Sequence, residues 1–186
     1  MSRRPIHQSG FSMIEVLVAL LLICIGVLGM VAMQGRTIQY NVDSTQRSNA
    51  AMLANELLET MRSNRDKVYN AANSINGSSP YFKLGTTAYP TALAANECQP
   101  LPPNSNAAKQ LSCWLTRVRQ VLPDAAALGS EVHVCQAGDS IGTCGSTGRG
   151  VEIQLAWRVK DGECMDTTSA SGTDGTICHY RIRAEI

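Results

Sequence analysis

The chain has 186 residues, with Lys+Arg 16 against Asp+Glu 15 and a formal net charge of +1. So even a balance supplies no bulk charge for nucleic acid or an acidic substrate, and neither is expected as a partner. Aromatic residues make up 5%, so a core must be built from Leu, Val, Ile and Ala, and the length suits one folded domain plus a membrane helix.

Residues 1–10 carry Arg3 and Arg4 and no acid. Pro5 and Gly10 disfavour helix, so this leader is expected to be extended. Its positive charge holds it on the cytoplasmic side of a membrane. From Val16 to Met33 no side chain is charged. At ~1.5 Å per residue that run makes ~27 Å of helix, roughly one bilayer core. Glu15 stands at its start, and a carboxylate in that position is costly enough to read as functional. Ordinary export signals fit less well. The Arg3-Arg4 pair abuts Pro5, and the apolar run is long and lacks a small-residue cleavage site before Arg36.

The string Gly10-Phe11-Ser12-Met13-Ile14-Glu15 and its apolar helix resemble the class III signal of type IV prepilins and of type II secretion pseudopilins. Ser12 to Ile23 and Ala51 to Asn64 resemble the minor pilins of the PilV type. The resemblance implies that a prepilin peptidase cuts between Gly10 and Phe11 and that Phe11 becomes the N-methylated terminus. It implies that Glu15 pairs with the terminal amine of a neighbouring subunit. Breaking one partner of such a buried pair costs roughly 3–5 kcal/mol. The implied partners are other minor pilins, the major pilin and a tip adhesin. The implied place is the inner membrane, with a periplasmic C-terminal domain, and then the pilus tip. The implied role is priming of pilus assembly for twitching motility and adhesion, with no enzymatic activity and no cofactor. Two alternatives stand beside it: a minor pseudopilin of a type II secretion system, and a membrane-anchored periplasmic binding module.

The expected architecture is α+β, with a long N-terminal helix packed on a C-terminal antiparallel sheet, as in the type IV pilin fold. It divides into a leader at 1–10, a membrane and fibre-core helix at 11–35, an amphipathic continuation at 36–70 and a periplasmic domain at 71–186. Gly26 and Gly29 either let helices approach closely or reflect the glycine content of membrane helices. In the continuation, Ala50, Leu53, Ala54, Leu57, Leu58 and Met61 recur at helical spacing. Residues 71–103 are expected to be irregular and exposed, since Asn76-Gly77-Ser78-Ser79-Pro80 and Pro100 to Pro103 break regular structure.

A second helix is predicted from Ser105 to Leu122. It is capped by Asn104 or Ser105, stopped by Pro123, and striped by Leu111, Trp114, Leu115 and Val118. Lys109, Arg117 and Arg119 are expected on its solvated side. Three alternating strands follow, at 131–135, 151–160 and 178–186, each with one face for the core and one for water. On that pattern His133 and His179 face solvent.

Cys24 lies in the apolar run and reads as a small hydrophobe. The other six cysteines fit an oxidising compartment and allow fifteen connectivities. The preferred pairs are sequential, because each closes a short loop: Cys98–Cys113, Cys135–Cys144 and Cys164–Cys178. No metal site is expected. Cys-x-x-Cys is absent, and Asp161, Glu163 and Asp166 lack the spacing of an EF-hand. Gly-x-Ser-x-Gly is also absent, so no catalytic set is expected.

Overall fold

The computed structural model describes residues 12–100, 102–103, 106–161, 163–164 and 175–186, apart from the side chains of residues 36 and 39. The chain divides into two units, Met1–Asn41 and Val42–Ile186. Helix α1, Met13–Ser63, runs through both. Its sequence is rich in Leu, Ala and Met and free of proline, so nothing interrupts the hydrogen-bond ladder. In the first unit its large apolar side chains, from Met13 to Ile38, are exposed. A helix that is apolar all round is suited to lipid or to a helical bundle. By length and composition α1 can cross a membrane. Nothing lies within 4 Å of where a Cβ on Gly26, Gly29 or Gly35 would sit. Among the described residues, nothing approaches closely at these glycines.

In the second unit, α1 buries Ala50, Leu53, Ala54, Leu57, Leu58 and Met61. They share one core with Leu111, Trp114, Leu115 and Val118 and with Val134, Ile153, Leu155 and Trp157 of the strands. Each fully buried aliphatic side chain contributes about 1.5–3 kcal/mol. The Trp114 indole donates to the Leu53 carbonyl at 2.8 Å, which satisfies its one polar atom. Two short helices follow α1: α2 at Arg65–Val68 and α3 at Ala95–Cys98. The second predicted helix is α4, Ala107–Val121. Its cap is Asn106, whose side chain accepts from the Lys109 amide. Asn104 and Ser105 lie outside the described residues.

The strands are β1 at His133–Gln136, β2 at Val151–Arg158 and β3 at Ile177–Ala184. They form an antiparallel sheet in the order β1-β2-β3. The architecture is therefore α+β, a long N-terminal helix with a small antiparallel sheet, consistent with a pilin fold. In register, Val134, Ile153 and Ile182 share one face, and His133, Gln154 and Arg181 share the other. The expected dry and wet faces need correction here. β2 is buried on both faces from Val151 to Trp157. The first face lies in the core. The second is covered by arginines of β3 and by the loop between β1 and β2, as described below.

The segment 71–103 also departs from expectation. Tyr81 and Lys83 are buried, and Lys83 exchanges both backbone hydrogen bonds with Val134, which extends the sheet by one bridge. On α4, Arg117 pairs with Glu56 at 2.6 Å and Lys109 with Glu97 at 3.5 Å. Arg119 is half-buried rather than solvated. It lies 5.1 Å from the Tyr89 ring centre and donates to the Pro90 carbonyl.

Candidate functional site

The N-terminal site begins at the first turn of α1. The Ser12 carbonyl accepts from the amides of Glu15 and Val16, at 3.0 and 3.4 Å. This leaves Glu15 in the first turn, where the helix macrodipole favours a negative charge. An apolar hollow runs along Val16, Ala19, Leu20 and Ile23 beside it. Among the described residues, Glu15 is thus a carboxylate beside an apolar surface that no other segment covers. Such a group needs a cation from elsewhere once lipid or another helix excludes water. Gly10 and Phe11 lie outside the described residues.

The second concentration of chemistry is the polar face of the sheet. Glu152, in the middle strand, is 0% exposed. Its carboxylate accepts from Arg183 Nε at 2.5 Å and from the Gly142 amide. His133 Nε2 lies 3.8 Å away. Arg183 also donates to the Ser140 carbonyl, so one ion pair grips the β1–β2 loop at two points. Gly142 has φ +88°, and a Cβ there would sit 3.0 Å from Arg181 Nε. Both the backbone conformation and the close approach call for glycine. Beside this pair, Gln154 accepts from Arg181 Nε at 2.5 Å and donates to the Glu131 carbonyl at 2.7 Å. His179 Nε2 stands 3.2 Å from Glu131 Oε2.

His133 and His179, expected in solvent, are 6% and 5% exposed. The reason is register. Gln154 on β2 stands between His133 and Arg181, and Glu152 pairs with Arg183 under the folded loop, while His179 stands opposite Ala156 and reaches Glu131. Burial pushes the His133 imidazole below its ordinary value. The Glu152 carboxylate opposes that shift, while Arg181 and Lys83 add to it. Both rings are shut off from solute, so the geometry suits a cross-strand brace better than acid–base catalysis.

The structure joins six cysteines in three pairs. Cys98–Cys113 ties α3 to α4, with Cα atoms 5.5 Å apart. Cys135–Cys144 closes the β1–β2 loop over the polar face. Cys164–Cys178 ties the stretch after β2 to β3. Cys24 is free and exposed on α1. The tightest group of potential metal ligands among the described residues is His133, Cys135 and Cys144. Its two sulfurs are bonded to each other, which removes the thiolates a soft metal needs. Asp166 of the acidic Asp161–Asp166 run lies outside the described residues.

Sequence reasoning also missed the burial of two charged side chains, Lys83 and Asp43. Lys83 is 4% exposed, and its ammonium donates to the carbonyls of Leu84, Gly129 and Val132 at 3.1, 2.7 and 2.8 Å. Burial lowers its pKa. Nothing in the irregular run around it signalled this. Asp43 is buried and lies 3.6 Å from Arg47. Arg47 in turn lies 5.6 Å from the Trp157 ring centre and donates to the His179 carbonyl. The spacing of Asp43 and Arg47, one helical turn, was the available signal.

Residues 6–31 match the prokaryotic N-terminal methylation motif. The match takes in the second half of the leader, from Ile6 to Gly10, then Phe11, Glu15 and most of the apolar run. No curated protein and no solved structure matches the chain. The chain thus carries the N-methylation motif of prokaryotic prepilin-like proteins, whose members are processed by a prepilin peptidase and assemble as structural subunits of pilin or pseudopilin type.

Proposed function

We propose that this protein is a minor pilin of the PilV kind, which joins other minor pilins, the major pilin and a tip adhesin in a complex that primes type IV pilus assembly and stays at the tip. Twitching motility and attachment depend on that complex. The observation that carries the reading is the motif at residues 6–31, set on a helix whose first unit exposes apolar side chains all round. The peptidase cuts between Gly10 and Phe11, and Phe11 is N-methylated. Residues 11–35 serve first as membrane anchor and then as fibre core. Residues 36–70 continue the helix, and residues 71–186 form the periplasmic domain. Glu15 pairs with the N-terminal amine of a neighbouring subunit, which supplies the cation its apolar surroundings lack.

The motif is shared with pseudopilins, so a role in type II secretion is the second reading. Both are tested by following Glu15→Ala. In cells making pili, the wild-type protein should be recovered with sheared surface fibres. The variant should stay in the membrane fraction, cut normally, with at least about a tenfold loss from fibres if the pair is worth more than ~1.4 kcal/mol. Equal recovery of both proteins would remove Glu15 from the assembly mechanism. Absence of the wild type from sheared pili, together with loss of protein export on deletion, would favour the pseudopilin reading.

A further inference from the structure

The second unit contains a polar cleft that neither the processing motif nor the sheet brace uses. It is about 550 Å³ in volume, within the ~300–1,000 Å³ range of small-molecule sites. One wall is the turn after α2, where Tyr69 bridges to Ile75. The other is the loop Ser146–Arg149 with Glu185 after β3. Both walls are preset by internal hydrogen bonds. The Asn70 side chain accepts from the Ala72 and Ser74 amides at 3.0 and 3.1 Å. The Gln136 side chain donates to the Ser146 and Gly148 carbonyls at 3.1 and 2.7 Å.

Into this frame project groups with spare capacity. Arg65 lies 4.6 Å from the Tyr69 ring centre and spends one donor on the Asn73 side chain at 3.0 Å. A guanidinium has five N–H donors, so others remain. Asn73 has φ 56°, a left-handed conformation that asparagine tolerates in turns. Arg149 makes no ion pair or hydrogen bond among the described residues, although Glu185 lines the same cleft. Two arginines, one carboxylate, an aromatic edge, an amide and the Thr147 hydroxyl make a mixed set. A bare anion would use the arginines and be repelled by Glu185. A neutral polyol would leave both guanidinium groups unmatched.

We infer that this cleft binds an acidic saccharide. A sugar carboxylate takes the Arg65 and Arg149 donors, and ring hydroxyls donate to Glu185 and to the Asn73 side-chain oxygen. Carboxylate–guanidinium bonds are charge-assisted and directional, which fits a ligand with one fixed carboxylate per ring. The inference does not depend on the pilin-type reading. A surface protein of another kind would carry the same cleft.

The test uses the isotopically labelled full chain in detergent micelles, titrated with tetragalacturonate and followed by amide NMR shifts. Saturable shifts should appear at residues 69–75 and 146–149. Affinity should fall about tenfold in Arg149→Gln, the loss expected for one charge-assisted contact. The remote Arg158→Gln should leave affinity unchanged. The fully methyl-esterified tetrasaccharide and inorganic phosphate should each bind at least about tenfold more weakly. No saturable shift, equal binding of the ester, equal binding of phosphate, or equal loss in Arg158→Gln would each overturn the assignment.

Discussion

Replacing Arg183 with alanine strands the Glu152 carboxylate inside the sheet. Glu152 is 0% exposed and keeps the Gly142 amide, a neutral donor, while losing its one close cation. His133, at 3.8 Å, becomes the nearest group able to take up a compensating proton. Removing one partner of a buried pair costs about 3–5 kcal/mol, because the remaining charge has neither water nor counter-ion. For a unit of this size a loss of 1 kcal/mol lowers Tm by about 2–4 °C, so the melting point should fall by ~6–20 °C. Tryptophan emission is a direct assay, since Trp114 and Trp157 are both buried. Arg62→Ala is the control. Its pair with Glu59 is exposed on both sides, so its loss should stay under ~1 kcal/mol. The double variant Glu152→Gln with Arg183→Ala removes both charges and should lose less than the sum of the two single changes. A loss under ~1 kcal/mol for Arg183→Ala, or strict additivity in the cycle, would refute the view that this face is a buried brace.

The remaining predictions concern other links in the same unit. Burial holds the folded-state pKa of His133 below 6.5, so the folded protein binds fewer protons there than the unfolded chain. That contribution is complete above pH ~6.5 and is lost as pH falls through the folded value. Melting at stepped pH should show acid destabilisation that His133→Gln reduces, and an unchanged pH profile would contradict it. Lys83→Ala orphans three carbonyls at once. It should cost about 3–5 kcal/mol in denaturant melts, and a cost below ~1 kcal/mol would show that water replaces the ammonium. The Cys98–Cys113 bridge closes a separation of 15 residues. Replacing both cysteines with serine should cost ~3 kcal/mol in the chain-entropy account, and a neutral result would place the stabilisation elsewhere.

Much of the fold was legible because periodicity dictated it. The apolar positions of α4 and of α1 from Ala50 to Met61 recur every three or four residues, and nearly all of them are buried. The alternation in β2 and β3 located both strands to within two residues. Alternation also misled. A period of two marks two faces, and it does not say that the polar face meets water. Glu152, Gln154, His133 and Arg183 look like a solvated set along each strand. Only the cross-strand register shows that Glu152 meets Arg183 and that Gln154 lies between His133 and Arg181. Lys83 was illegible for a different reason. Its three acceptors come from residues 84, 129 and 132, and no local pattern encodes a contact across that separation. The N-terminal methylation motif was legible as a string, since it resides in a linear run of residues rather than in a folded constellation.

The central claim is that the first ten residues are a signal read by a prepilin peptidase. It is tested most directly by intact mass and N-terminal sequencing of the protein from membranes of cells with and without that peptidase. The account predicts a peptidase-dependent chain that starts at Phe11 and carries one additional methyl group, and a chain that starts at Met1 when the peptidase is absent. A start at Met1 in both strains, or cleavage beyond Met33, would contradict it.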